Sequence, residues 1–424
     1  MALFLQATYG AVDLLIVGQF GGDLADVYVS AVSTGSMIMQ TLTLVVTGLA
    51  MGLTVFVGEK IGAKEPDEAG RIVGSGICFF GGLAVVLTAV MIVAAPALSR
   101  LMHAPAEAFD ETVSYVVICS AGMVFIVAYN LLGSIFRGIG DSKMPLITVA
   151  IACVMNILGD LLLVAVFDMG ANGAAIATVF AQAVSVVLSL IILRKRELPF
   201  RLRVKEIRPV GCHIKKIWKL GAPIAFQDLL VSISFLVLVA IANSMGTIAS
   251  AGVGVAQKLC AFVMLVPAAY MQAMSAFVAQ NIGAGREDRA RRALWCGVAS
   301  SFAVGIVMAW AGLFHGDILS GIFAEDVNVI VAAWEYLKAY AIDCLFTSFL
   351  FCFMGYFNGR GETMFVMVQG FVGAFCVRLP VALVVSRLLP ESLFALGLST
   401  PASTLVQIIL CGGWYLRQKK KSST

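Results

Sequence analysis

The chain has 424 residues, of which 60% are hydrophobic and 13% charged, and its net charge is +4. A soluble domain carries about a quarter charged residues, so this composition excludes one and places the chain among polytopic membrane proteins. Ten cysteines occur without a CxxC pair, and His103, His213 and His315 stand apart, so the sequence holds neither a disulfide framework nor a metal cluster.

A helix needs about 20 apolar residues to cross the hydrocarbon core. Runs of that kind predict an all-α protein of twelve transmembrane helices. In chain order they are Met1–Phe20, Val32–Val57, Val73–Ala97, Val113–Phe136, Met144–Phe167 and Gly173–Leu193, then Leu220–Met245, Ile248–Val278, Ala293–Leu313, Val331–Phe357, Met364–Leu388 and Leu398–Leu416. The first run has no basic lead-in and contains Asp13, so it reads as a span and not as a cleaved signal. Basic residues collect on one side of this frame: Lys60, Lys64, Arg71, Arg137, Lys143, the stretch Arg194 to Lys219, Arg286, Arg289, Arg291, Arg292, Arg360 and the tail Arg417 to Lys421. The other side has Arg100, Lys338 and Arg387. By the positive-inside rule the first side, with both termini, is expected in the cytoplasm.

The two halves repeat. "VGEKIGAKEPDEAGR" from Val57 and "VAQNIGAGREDRARR" from Val278 are identical at seven of fifteen positions, at an offset of 221 residues. "FRGIGDS" from Phe136 matches "FNGRGET" from Phe357 at the same offset, and Gln6 falls on Gln227. The expected organisation is a six-helix lobe over residues 1–195, a basic linker over 196–219 and a second six-helix lobe with a basic tail over 220–424. An even number of spans separates the copies, so the lobes are expected to be related by a pseudo-twofold axis along the membrane normal, with a substrate cleft between them near Gln6 and Gln227. Within the linker, "HIKKIWK" reads as a short interfacial helix. Met1 aligns with Ala222, and "KIWKLG" precedes that point in the second half alone. The expectation is a first span shortened at its cytoplasmic end, with a miscalled start.

Ionisable groups deep in a membrane are costly and mark functional paths. Six candidates lie deep in the spans, away from their ends: Asp13, Asp160, Asp228, Lys258, Asp343 and Arg378. Asp160 lies eight residues before Asp168 and Asp13 eight before Gly21, so both sit about 12 Å below the outer rim. Thr178 reaches a similar depth in span six, and Asn156 is one turn below Asp160 on the same face. Two acids, an amide and a hydroxyl at one level suit a shared proton or a sodium ion held by oxygens. The alternative is polar groups bonded to one another for packing alone, and spacing leaves both open. In the second lobe, Asp228, Lys258 and Asp343 form a candidate buried charge network lining a cavity, or a structural ion pair. Arg378 in "FCVRLPVAL" reads as a structural contact.

The elements "ATYGAVDLLIVGQFGG", the repeated "IGA" loops, "FRGIGDSKMP", "NILGDLLLV", "MGANGAAIATVFAQ", "LGAPIAFQDLL" and "FVAQNIGAGREDRARRA" span the whole chain. In this order and in a duplicated frame they resemble the multidrug and toxic compound extrusion (MATE) transporters. The resemblance implies a V-shaped pair of six-helix lobes and a secondary active antiporter. Such a carrier exports organic, cationic or amphipathic compounds in exchange for protons or sodium ions, with no other cofactor. It implies a coupling site whose residue types match Asp13, Asn156, Asp160 and Thr178, and in another branch of the family acids in the spans that hold Asp228 and Asp343. Family members carry a proline early in span one, and this chain begins after that point. The resemblance also implies a bacterial-type inner membrane, a small organic substrate, lipid contacts and a monomer, without nucleotide or nucleic acid. No metal motif, nucleophile elbow or phosphate loop supports an enzyme. A flippase for a lipid-linked precursor is the alternative, and it needs an arginine-lined groove. The span interiors hold just Arg378 and Lys258, which argues against an anionic cargo.

Overall fold

A computed structural model describes residues 2–195, 198–200, 203–389 and 392–421. All regular structure among them is helical. The helices are α1 (Ala2–Phe20), α2 (Ala25–Gly62), α3 (Pro66–Leu101), α4 (Phe109–Ala121), α5 (Met123–Gly138), α6 (Lys143–Asp160), α7 (Gly170–Lys195) and α8 (Gly211–Ser244). They continue with α9 (Thr247–Gly283), α10 (Glu287–Phe314), α11 (Gly316–Gly321), α12 (Val327–Gly359), α13 (Thr363–Phe371), α14 (Leu379–Leu388), α15 (Leu393–Gly397) and α16 (Ser399–Lys421). Two π-helical segments interrupt the pattern, Leu161–Val166 after α6 and Val372–Arg378 between α13 and α14. The chain separates into two compact units, Met1–Ala225 and Phe226–Thr424.

Ten of the described helices are long and apolar enough to cross a membrane, and α4 with α5 makes an eleventh that is bent by 52°. The first predicted span corresponds to α1. Hydrocarbon holds no water to satisfy backbone amides, so an unbroken helix is the economical way through it. The outward faces are correspondingly apolar: Val85, Val86, Val90 and Val93 on α3 are all exposed side chains. Such a continuous apolar face suits lipid and not water.

The predicted fourth span is the one the structure breaks. The turn falls at Gly122, against the side chain of Val179 on α7, where no side chain fits. Hydropathy sees one apolar run there because the break depends on a neighbour in space. "HIKKIWK" also differs from the expected separate helix. It forms the first turns of α8, which run on without interruption to Ser244. Those turns belong to the first unit and pack within it. His213 Nε2 lies 2.9 Å from Glu68, its Nδ1 3.1 Å from Ser75 Oγ, and Lys216 meets Glu59 at 2.9 Å.

The repeat has a physical basis in how the helices stop. Residues Lys64 and Gly285, 221 positions apart, both adopt left-handed backbone at the ends of α2 and α9. Gly140 and Gly361 do the same after α5 and α12. In each pair the next amide donates back to the carbonyl five residues earlier: Glu65 to Lys60, Arg286 to Asn281, Asp141 to Phe136 and Glu362 to Phe357. These are Schellman closures, which satisfy carbonyls orphaned at a helix end. "GIGDS" is therefore a helix stop and not a phosphate loop.

The helix ends also pack alike. Gly138 on α5 leaves room for the Thr54 carbonyl and Val57 of α2, and Gly359 on α12 leaves room for the Ser275 carbonyl and Val278 of α9. All three positions are related by the same offset of 221. Small residues let helix backbones approach closely in lipid. A methyl at Gly359 would stand 2.6 Å from the Ser275 carbonyl oxygen, while one at Gly138 meets its nearest neighbours at 3.1 Å. Gly359→Ala is thus expected to cost about 1–3 kcal/mol of stability and Gly138→Ala less. Thermal denaturation of the purified protein in detergent checks the order, and equal midpoints for Gly359→Ala and wild type would disprove it.

Candidate functional site

The polar centre of the first unit is built where α1, α6 and α7 meet. Asp13 projects from α1, Asn156 and Asp160 from the last turns of α6, and Thr178 from α7. The spacing of four residues puts Asn156 and Asp160 on one face of α6, and small α7 residues, among them Ala174 and Ala177, let that face lie close. Asp13 is 4% exposed and Asp160 fully buried, as is Asn156. The Thr178 hydroxyl donates to Asp13 Oδ2 at 3.4 Å and accepts from Asn156 Nδ2 at 3.5 Å. The carboxyl groups of Asp13 and Asp160 lie within hydrogen-bonding reach of each other.

The site has too many acceptors. Asp13 Oδ1, both carboxyl oxygens of Asp160 and the Asn156 carbonyl oxygen are buried without a donor. Among the described residues no Lys, Arg or His pairs with either acid. Two carboxylates side by side in a low dielectric repel, and each loses its hydration. A proton on one carboxyl supplies the missing donor. A monovalent cation among the oxygens serves equally.

Two features here are absent from the sequence reading. Tyr115 and Cys119, both buried on α4, are neutral groups near enough to the acids to feel their charge. The Tyr115 ring fits because Gly35 on α2 has no side chain in its path. In the sequence this tyrosine looks like any other aromatic in an apolar run. The second feature is the π-helical segment that starts right after Asp160. A wide turn at that point re-aims the following side chains, and such bulges are frequent at functional sites. No spacing in the sequence signals it.

The second unit is arranged differently. Asp228 on α8 is half-buried with no charged partner among the described residues, Lys258 on α9 is exposed, and Asp343 on α12 is buried. Among the described residues no ion pair joins the three, so the expected charge network is not formed. The reason is helical phase. Ala256, Leu259 and Cys260 face the core, which turns Lys258 outward. Arg378, also buried, is a basic side chain whose field reaches Asp343, and no ion pair joins the two. Gln227 is buried within this unit, its amide 3.8 Å from the Met354 sulfur and its stem against Gly370. The side chain of Gln6 lies outside the described residues. Among the described residues no group of acids, histidines and cysteines has the makings of a multivalent metal centre.

This chain matches the MatE family model over residues 1–162 and 223–384. It is 27% identical to the probable multidrug resistance protein YoeA of Bacillus subtilis over 437 residues, covering 99% of this chain and 92% of that protein. To the multidrug export protein MepA of Staphylococcus saprophyticus it is 25% identical, covering 87% and 82% of the two chains. Its fold is similar to that of a multidrug resistance MATE family transporter of the MOP superfamily solved in an outward-facing conformation, with a TM-score of 0.92 at 20% identity over 100% of this chain and 94% of the other. A full-length fold match, an all-helical membrane frame and two matching halves together make the assignment: the chain belongs to the MatE family of multidrug efflux transporters, integral membrane carriers and not enzymes.

Proposed function

We propose that the chain is a secondary active antiporter that exports organic, cationic or amphipathic compounds in exchange for a proton or a sodium ion. Asp13, Asn156, Asp160 and Thr178 hold the exchanged ion. One observation carries this reading: two adjacent buried carboxylates with orphan oxygens and no basic side chain against them. Such a centre is stable only with a cation, and among the described residues no basic side chain is there to fill it. The multidrug names of the relatives support the cargo class. Both termini lie in the cytoplasm, in keeping with the basic residues on that side.

The cycle follows from linkage. The ion neutralises Asp13 and Asp160, relieves their repulsion and favours the arrangement of α1, α6 and α7 that brings both acids together. Cargo favours the ion-free arrangement. A ligand moves such an equilibrium only by its differential affinity for the two states, so ion and cargo drive each other off. Thr178 takes part through its two hydrogen bonds. They tie the Asn156 amide to the Asp13 carboxylate and hold α1 and α6 to α7.

Asp160→Asn is expected to reduce ion-driven efflux of a fluorescent organic cation from proteoliposomes to the level of empty vesicles, with folding retained. Proton and sodium gradients imposed separately identify the driving ion, and wild-type efflux by the variant under either gradient would sink the assignment. Thr178→Ala is expected to keep transport while losing one hydrogen-bonded ligand, worth about 1 kcal/mol and so roughly fivefold in half-saturating ion concentration. An unchanged half-saturation would remove Thr178 from the site.

A further inference from the structure

The basic chain between α7 and α8 lies against α3 in the first unit. Gly74 on α3 leaves room for the Glu206 carbonyl, where no side chain fits. The next residue, Ser75, has its Oγ 3.3 Å from the Arg208 carbonyl oxygen and 2.9 Å from that of Arg71 in its own helix. Two turns of chain later, His213 at the start of α8 is 6% exposed and gripped by two α3 side chains. Its Nε2 lies 2.9 Å from Glu68 Oε1 and its Nδ1 3.1 Å from the same Ser75 Oγ. Phe56 of α2 meets the imidazole edge to face at 6.0 Å. Three residues on, Lys216 holds Glu59 at 2.9 Å and stands over the Phe56 ring at 4.2 Å. Helix α8 starts in the first unit and ends in the second, and these contacts fix its root.

A neutral imidazole cannot satisfy all of these partners. A serine hydroxyl has one proton to give, and an ionised carboxylate only accepts. With the ring proton on Nε2, Glu68 is served, but Nδ1 then takes the Ser75 proton and the Arg208 carbonyl loses its donor on α3. With the ring proton on Nδ1, Ser75 is free to donate to Arg208, but a bare Nε2 faces the Glu68 oxygen, two acceptors 2.9 Å apart. An imidazolium donates from both nitrogens. Glu68 and Ser75 are then both served, and the Ser75 proton goes to the carbonyls of Arg71 and Arg208. The charged side chains of the elements packed here are Glu68 and Arg71 on α3, Glu59 on α2, Glu206 and Arg208 in the linker and Lys216 on α8 itself. Arg71 takes the other oxygen of Glu68 at 3.4 Å, which leaves Oε1 to the imidazole.

We propose that His213, Ser75 and the Arg208 carbonyl form a proton-operated strap: a proton on His213 turns the Ser75 hydroxyl onto the linker and ties it to α3, and loss of that proton releases it. Histidine side chains change charge between about pH 5 and 8. The strap is therefore tight at the acid end of that range and slack at the alkaline end. The second anchor, Lys216 on Glu59, holds no histidine and keeps the root of α8 in place while the linker ahead of it is freed. On the proposed orientation this face is cytoplasmic, so the strap responds to the proton level on the side that an inward proton flux acidifies. That consequence rests on the proposed antiport. The strap itself does not.

Hydrogen exchange of the full-length protein in detergent, read by mass spectrometry over residues 204–214, tests this. The segment includes the bonded amides of Arg208 and Ile214. After correction for the intrinsic pH dependence of exchange, these amides are expected to exchange about fivefold more slowly at the acid end of the histidine range than at the alkaline end, the worth of one hydrogen bond. His213→Gln keeps a donor for Glu68 and an acceptor for Ser75 but takes up no proton, so it is expected to exchange at the fast rate throughout. Ser75→Ala removes the relay and leaves His213 on Glu68, and it is expected to lose the pH dependence too. An equal corrected rate at both ends in wild type would overturn the strap, and so would a pH dependence that survives in either variant. If His213→Gln does not fold, Ser75→Ala decides. Asp160→Asn is expected to keep the wild-type ratio whether or not it abolishes efflux, so the strap and the antiport fail separately, and loss of the ratio in Asp160→Asn would also overturn the strap.

Discussion

Two carboxyl groups, Asp13 and Asp160, meet inside an apolar helical unit with no basic side chain to balance them. That unbalanced pair is the constraint around which the first unit is organised. It requires α1 to lie against α6, and Thr178 to bridge from α7. Nearby α4 supplies neutral groups, Tyr115 and Cys119, and the missing side chain of Gly35 admits the Tyr115 ring. Were a lysine present, the cluster would be a structural ion pair with nothing to exchange. Among the described residues none is there, and on the proposed function a mobile cation takes that place.

The duplication separates what a membrane helix frame needs from what a carrier needs. The frame needs satisfied helix ends and close backbones. Both units meet those needs identically, with left-handed stops at Lys64 and Gly285 and at Gly140 and Gly361, and with glycine contacts at Gly138 and Gly359. Charge content answers to a different demand. The two units differ in the ionisable side chains they bury. The first holds two facing acids, and the second buries one acid, Asp343, and one arginine, Arg378. Divergence of this kind leaves the backbone untouched, because side chains at the centre of a unit do not participate in its helix stops.

Much of the frame was legible before any coordinates. Long apolar runs have one low-energy form in hydrocarbon, so the helices and their order follow from hydropathy. Depth along a helix is simple arithmetic, and counting from Asp168 and Gly21 put Asp160 and Asp13 at one level. Events that depend on a second helix were hidden. The bend at Gly122 answers to Val179, and the π-helical turns after Asp160 and before Leu379 leave no trace in composition. The same holds for charge partners. Lys258 was a reasonable mate for Asp343 by count, but helical phase turns it outward, and no ion pair joins the two.

The sequence by itself determined the solvent of this protein, the number and order of its apolar runs, the 221-residue register of its halves and the short list of buried charges. Each is a property of one segment read against lipid or against its own copy. Only the tertiary structure decided which of those charges face one another. Pairing depends on the rotation of each helix about its axis and on the small residues that let neighbours approach, and both are set by packing between segments far apart in the chain.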